Sequence, residues 1–175
     1  MNHYVKYLSY LTKHKFWVMY YCFKEKLYWR GLVHDINKFT LSSIKAYARY
    51  FYLKNGKGKF VRDNSGYYDA AQTGDLAFDL AWLHHQHTNK HHWQYWTMVT
   101  DKGEVRYLDI PLVYIHEMLC DWRGAGRAQG TNPTGGWISV YDYYIKNKDK
   151  MHFTTDSRNL LEQIICNHYD KELYK

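Results

Sequence analysis

Apolar side chains recur at helical intervals along most of this chain. Tyr4, Tyr7, Leu8, Leu11, Val18, Tyr21 and Cys22 are spaced by threes and fours, which predicts a helix over 4–24 with one inward stripe. His14 lies on that stripe, three residues after Leu11 and four before Val18. A second short helix is expected from Leu27 to Lys38. Thr40 can cap a third, running to about Tyr52, because its hydroxyl can accept a first-turn amide. The glycines, lysines and asparagines of "LKNGKGKFVRDNSGYYDAAQTG" (53–74) predict a loop. Asp75 to about Thr88 reads as a fourth helix. The segment "WQYWTMVTDKGEVRYLDI" reads as a small hairpin turning at Asp101 to Gly103. Pro111 fits the start of a fifth helix, which should pass through Asp121 and be broken by the glycines of "RGAGRAQG". Trp137 to about Asn147 is expected to be helical, and Thr155 or Asp156 should cap a last helix running almost to Lys175. With no internal repeat and no low-complexity linker, the expectation is a single mostly α domain over 1–175 with one small β-hairpin.

Composition narrows the function classes. A length of 175 residues with 46% hydrophobic side chains suits a sizeable core and argues against disorder. The 19 tyrosines and 7 tryptophans can fill that core or stack on bases. Lys plus Arg is 24 against 17 Asp plus Glu, and the resulting +7 favours anionic partners such as phosphates or nucleic acid. Cys22, Cys120 and Cys166 form no CxxC pair, which disfavours a zinc finger or disulfide scaffold and suits a reducing cytoplasm. Lysines interrupt the apolar positions of "MNHYVKYLSYLTKHK", so no signal peptide is read there, and no apolar run approaches membrane-spanning length. The expected location is cytoplasmic, with no membrane partner. The aromatic content leaves room for a homo-oligomer interface.

Charged and metal-binding side chains sit on these helices in a pattern that needs explaining. "RGLVHDINKF" sets His34 beside Asp35, with Lys38 shortly after, and unpaired charge is costly to bury. Five of the 11 histidines crowd into "HHQHTNKHHW". Asn89 follows His85 by four residues on one helical face, and His91 and His92 come where that helix should end. His84 and His85 are both open as the inward residue, and the face shared with Asn89 favours His85. Imidazole and carboxylate together suit Mn, Fe, Co, Ni or Zn. A single inward histidine is most often an ordinary core residue, but that reading weakens when several helices each offer one.

The order His14, His34-Asp35, Asp121 resembles the H…HD…D signature of HD-domain phosphohydrolases. In that superfamily each motif lies on a different helix of an α-helical bundle and together they bind a divalent metal. "HDINK" is similar to the HD-x-x-K form, in which the lysine contacts substrate phosphate. His85 with His91-His92 resembles the dinuclear branch, which includes cyclic-dinucleotide phosphodiesterases and certain nucleases. The "GYP" stretch of one cyclic-dinucleotide branch is absent. The whole chain, with "HDINKF", "NKHHW" and "MLCDW", also resembles a family of small uncharacterised bacterial and phage proteins.

The resemblance implies two divalent transition-metal ions held by His14, His34, Asp35, His85, His91, His92 and Asp121. Asp35 would bridge them, and ions ~3.5–4 Å apart can clamp the attacking and leaving oxygens of a phosphoryl transfer. Asp35 and Lys38 take catalytic roles, with Lys38 neutralising charge on the non-bridging oxygens. Lys38, Asn89, Arg123 and Arg127 are candidate substrate contacts, the two arginines through bidentate phosphate binding. Arg123 fits equally as a basic helix C-terminus that complements the dipole. Trp93, Tyr95 and Trp96 read as hairpin core rather than as a base-stacking wall. The expected activity is hydrolysis of a phosphoester, with a phosphodiester of a nucleotide or cyclic or oligo-nucleotide favoured. The alternatives are a nucleotide or nucleic-acid binder that sequesters its ligand, and a di-iron oxygenase, since that chemistry also occurs on the HD scaffold.

Overall fold

A computed structural model describes residues 2–53 and 74–174. The order is α1 (His3–Lys24), α2 (Tyr28–Val33), a 3-10 turn (Ile36–Phe39), α3 (Leu41–Tyr52), α4 (Leu76–Thr88), a 3-10 turn (Trp93–Trp96), β1 (Thr97–Val99), β2 (Val105–Tyr107), α5 (Leu112–Gln129), α6 (Trp137–Asn147), a 3-10 turn (Lys148–Lys150) and α7 (Thr155–Leu173). The described chain is mostly helical with one antiparallel hairpin, as expected. None of its helices is long and apolar enough to cross a membrane. The loop predicted over 53–74 lies, for residues 54–73, outside the described residues.

Local chemistry starts the helices. The side chain of Asn2 accepts from the Tyr4 amide, Thr40 from Ser43, Asp75 from Phe78 and Thr154 from Ser157. The last cap is Thr154, one residue before the predicted Thr155, and its hydroxyl also donates to Asp109. In the hairpin, Thr97 pairs with Tyr107 and Val99 with Val105, and Gly103 takes the positive φ of 79° that the turn requires. "WQYW", expected within the hairpin, forms a 3-10 turn instead, and Trp93 and Trp96 pack on the core.

α1 packs against α5, α3 and α2, so it is the central post of the fold. Tyr7, Leu11, His14, Val18, Tyr21 and Cys22 are buried along it. Tyr4 and Leu8, expected on the same stripe, sit at its edge and are exposed. The other side of the post is set by α5, which does not break at its glycines. It runs on to Gln129 and ends at Gly130, whose φ is 79°. A Cβ on Gly124 would lie 2.4 Å from Val18 Cγ2 and 2.8 Å from the Val18 amide nitrogen. Gly124 is there because the two backbones nearly touch, and that close approach outweighs the ~1 kcal/mol that glycine costs inside a helix. Cys22 and Cys120 are buried beside this contact with Val18 and Tyr21. A separate core lies between α5, α6 and α7, formed by Ile115, Leu119, Val140, Tyr144, Leu161 and Ile165.

Candidate metal centre

The His34-Asp35 pair does not sit within a continuous helix, as the spacing had suggested. α2 ends at Val33, and Asp35 adopts the left-handed conformation (φ 55°, ψ 22°) before the 3-10 turn that carries Lys38. Only asparagine and aspartate among non-glycine residues visit that region with any ease, at roughly 1–2 kcal/mol. A break here exposes helix-end carbonyls, and Lys15 takes them up. Its ammonium donates to the carbonyls of Gly31 (3.0 Å), Leu32 (2.7 Å) and His34 (2.7 Å). Lys15 follows His14 in sequence, so α1 supplies both an inward imidazole and the strap that holds the turn.

The turn presents Asp35, 1% exposed, to side chains from four other segments. Oδ2 lies 3.3 Å from His14 Nε2 on α1 and 3.5 Å from His34 Nε2. Asp121 on α5 closes that side, its Oδ1 3.2 Å from His14 Nε2 and 3.3 Å from His34 Nε2. The other oxygen, Oδ1, lies 3.5 Å from His85 Nε2 at the end of α4 and 3.4 Å from His91 Nε2 just beyond it. His92 Nε2 is 2.8 Å from His85 Nε2. Two quartets thus have ligand atoms close enough to share an ion: His14, His34, Asp35 and Asp121, and Asp35, His85, His91 and His92. Asp35 belongs to both. The seven residues expected from the sequence to bind metal are therefore brought together, and His85 rather than His84 is the inward residue. His84 lines a surface cavity with Thr40, Ser42, Lys45 and Arg49.

The donor set fits a cation. Among the atoms that face one another across Asp35, His34 Nε2, Asp35 Oδ1 and His91 Nε2 are buried with no hydrogen-bond partner. Each such atom costs ~1–3 kcal/mol if left that way, and a metal ion satisfies ring nitrogens and carboxylates together. The electrostatics agree. Burial pushes the carboxyls of Asp35 and Asp121 up, but charge on His34 and Lys38 for the first, and hydrogen bonds from His14 and His34 for the second, hold both well below the usual range. Burial pushes the His34 imidazolium down, yet Asp35, Asp121 and Glu117 outweigh it and raise the group to about 10, so these carboxylates favour a positive charge here and an ion would take the place of the ring's second proton. Burial, with nearby Lys38 and His91 charge, depresses His85 and His92, which leaves them neutral and able to donate a lone pair.

Lys38 reaches the site from the 3-10 turn, not from the helix expected over Leu27 to Lys38. Its ammonium donates to Asp35 Oδ2 at 2.8 Å, the usual length of a charge-assisted hydrogen bond. Asn89 is engaged inside the protein. Its Nδ2 donates to the His85 carbonyl at 2.8 Å and lies 2.9 Å from His85 Nδ1. Arg123 donates to the Gly135 carbonyl and stacks over Tyr21 and Trp137. Arg127, expected beyond a helix break, lies in the last turn of α5, donates to the Tyr21 hydroxyl and covers the Trp17 ring at 3.5 Å. The structure joins these two arginines to the α1–α5 seam rather than to Asp35.

Three residues at the site were not singled out by sequence. Glu117, fully buried, has Oε1 3.0 Å from His34 Nδ1 and 3.4 Å from His91 Nδ1, while its Oε2 accepts from Arg30 Nε at 2.6 Å. Asn37 Oδ1 lies 3.2 Å from His85 Nδ1, and Lys15 is the strap described above. Glu117 left a signal: it precedes Asp121 by four residues, so the two share a helical face.

A family model, described as "Family of unknown function (DUF5662)", matches residues 3–167. No curated protein and no solved structure matches the chain.

Proposed function

This chain belongs to the DUF5662 family, and on that footing we propose that it is a metal-dependent phosphohydrolase holding two divalent transition-metal ions and cleaving a nucleotide phosphoester, with a phosphodiester favoured. The observation that carries the reading is the position of Asp35, whose two oxygens face different ligand quartets. One carboxylate shared by two sets of imidazoles is the arrangement a two-ion centre needs. The resemblance of H…HD…D to the HD-domain superfamily supports the same conclusion, as does the basic balance of the chain.

His14, His34, Asp35 and Asp121 would hold one ion, and Asp35, His85, His91 and His92 the other. Bound there, divalent ions activate water as a nucleophile and neutralise charge on a phosphoryl group. The protein's own groups do the rest. Lys38 is paired with Asp35 in this structure. An incoming phosphate would offer its ammonium a second anion, and the lysine would then stabilise charge developing on the non-bridging oxygens. His85, buried, and His92, half-buried, are both held neutral, so they would bind without adding positive charge. Tyr7 and Tyr47, on α1 and α3, are buried, and the Lys38 ammonium lies 6.0 Å from the Tyr47 ring centre.

The test is elemental analysis of purified and reconstituted protein, followed by a hydrolysis panel of cyclic, linear and mononucleotides. Two equivalents of a transition metal and turnover of a phosphoester are expected. Protein that binds no transition metal even after reconstitution refutes the proposal. Metal and tight nucleotide binding without product would instead identify a sequestering protein.

A further inference from the structure

Building on the metal-centre reading, we infer that Glu117 is a positioning residue common to both quartets: one buried carboxylate orients His34 in the first and His91 in the second, so the two metal positions load as a unit. Glu117 Oε1 faces Nδ1 of both rings, at 3.0 and 3.4 Å. The rings lie side by side, with centroids 4.3 Å apart. An ionised carboxylate only accepts, so it keeps a proton on Nδ1 of each imidazole. Each ring must then offer Nε2, and Nε2 is the atom that both turn toward Asp35, His34 to Oδ2 and His91 to Oδ1. The pair of rings is thus held between Glu117 behind and Asp35 in front.

Arg30 fixes the carboxylate itself. Its Nε donates to Oε2 at 2.6 Å, and its guanidinium lies over Tyr114, 4.9 Å from the ring centroid. The cation beside Oε2 also argues against an ion bound directly by Glu117, although His34, His91 and Glu117 are close enough together to form a third ligand trio. A glutamine at this position cannot satisfy both sides. If its oxygen faces Arg30, its amide N–H groups point at the imidazoles and impose the wrong tautomer. If its oxygen faces the imidazoles, two donors meet at Arg30.

The experiment is titration of metal-free wild-type and Glu117→Gln protein with Mn(II) and Zn(II), with circular dichroism of both metal-free forms. Two sites are expected in the wild type, and loss of affinity at both in the variant by about 10–100-fold, the usual cost of removing a carboxylate behind a metal-bound histidine. Weakening at one site alone, or unchanged affinities with only a less stable fold, overturns the inference while leaving the metal reading intact. A wild type that binds neither metal overturns both. Should the variant not fold, the wild type still decides the question. Imidazole nitrogen NMR of the zinc-loaded protein should show Nδ1 protonated and Nε2 ligated at both His34 and His91, and ligation through Nδ1 at either ring contradicts the role given to Glu117.

Discussion

The α6–α7 pair and the α1–α5 seam bury their polar atoms by different rules. Around α6 and α7 each buried apolar side chain meets others, and polar groups are paired. The Tyr144 hydroxyl donates to Glu162 at 2.5 Å and accepts from Arg158, and burial with that carboxylate pushes the phenol up to about 12. Glu172 accepts from the first amides of α6, where a carboxylate also complements the helix dipole. In the seam and the turn beside it, His14, His34, Asp35, His85, His91 and Glu117 are all buried, and several of their polar atoms lack a partner. The first region is arranged for stability. The second gives up stability to keep ligand atoms converging, which is the mark of a site rather than of a core.

Substitutions can test this contrast, and the largest effect is expected at Asp35. Asp35→Ala should abolish turnover and loosen both ions while the helical signal in circular dichroism stays largely intact. Retained activity in the folded fraction would place Asp35 among structural ion-pair residues instead. Lys38→Met comes next: both metals retained, and phosphoester turnover lowered by about 10²–10³, the range for losing one transition-state contact. If its kinetics match the wild type and only stability or metal content falls, the 2.8 Å pairing with Asp35 is the lysine's whole role. Gly124→Ala should cost about 1–3 kcal/mol through overpacking against Val18, more than alanine's helical advantage of ~1 kcal/mol returns. Metal affinity should fall with it, because the His14–Asp121 contact lies one helical turn away. The smallest effect belongs to the other region. Thr154→Ala removes the cap of α7 and should lower stability by about 1 kcal/mol in urea unfolding, with metal content unchanged.

Periodicity was enough to place α1 and the inward His14, because helical spacing directly encodes which side faces the core, and the Thr40 cap was enough to start α3. The candidate ligand set was legible through the resemblance of the H…HD…D order, which pointed to histidines and aspartates on separate helices. What was not legible depends on tertiary approach. The left-handed Asp35 cannot be read from "VHDINK", where helix-compatible residues continue on both sides, and it is held by Lys15 from another helix. Gly124 and Gly126 look like punctuation until the neighbouring backbone shows that Gly124 marks a close crossing. Arg123 and Arg127 carry the charge of phosphate binders, but aromatic faces available only in the folded seam take them up. Glu117 was overlooked because a lone glutamate in a helix is ordinarily a surface residue.

The close α1–α5 crossing also sets a timetable. During synthesis α1 leaves the ribosome with His14 and its apolar stripe uncovered, and Gly124 and Asp121 follow only about a hundred residues later. Local helices can form at once, but the post and its main partner meet through a contact distant in sequence, the slowest kind to close. The His/Asp cluster needs both sides of this contact, so it cannot be complete before α5 has been made.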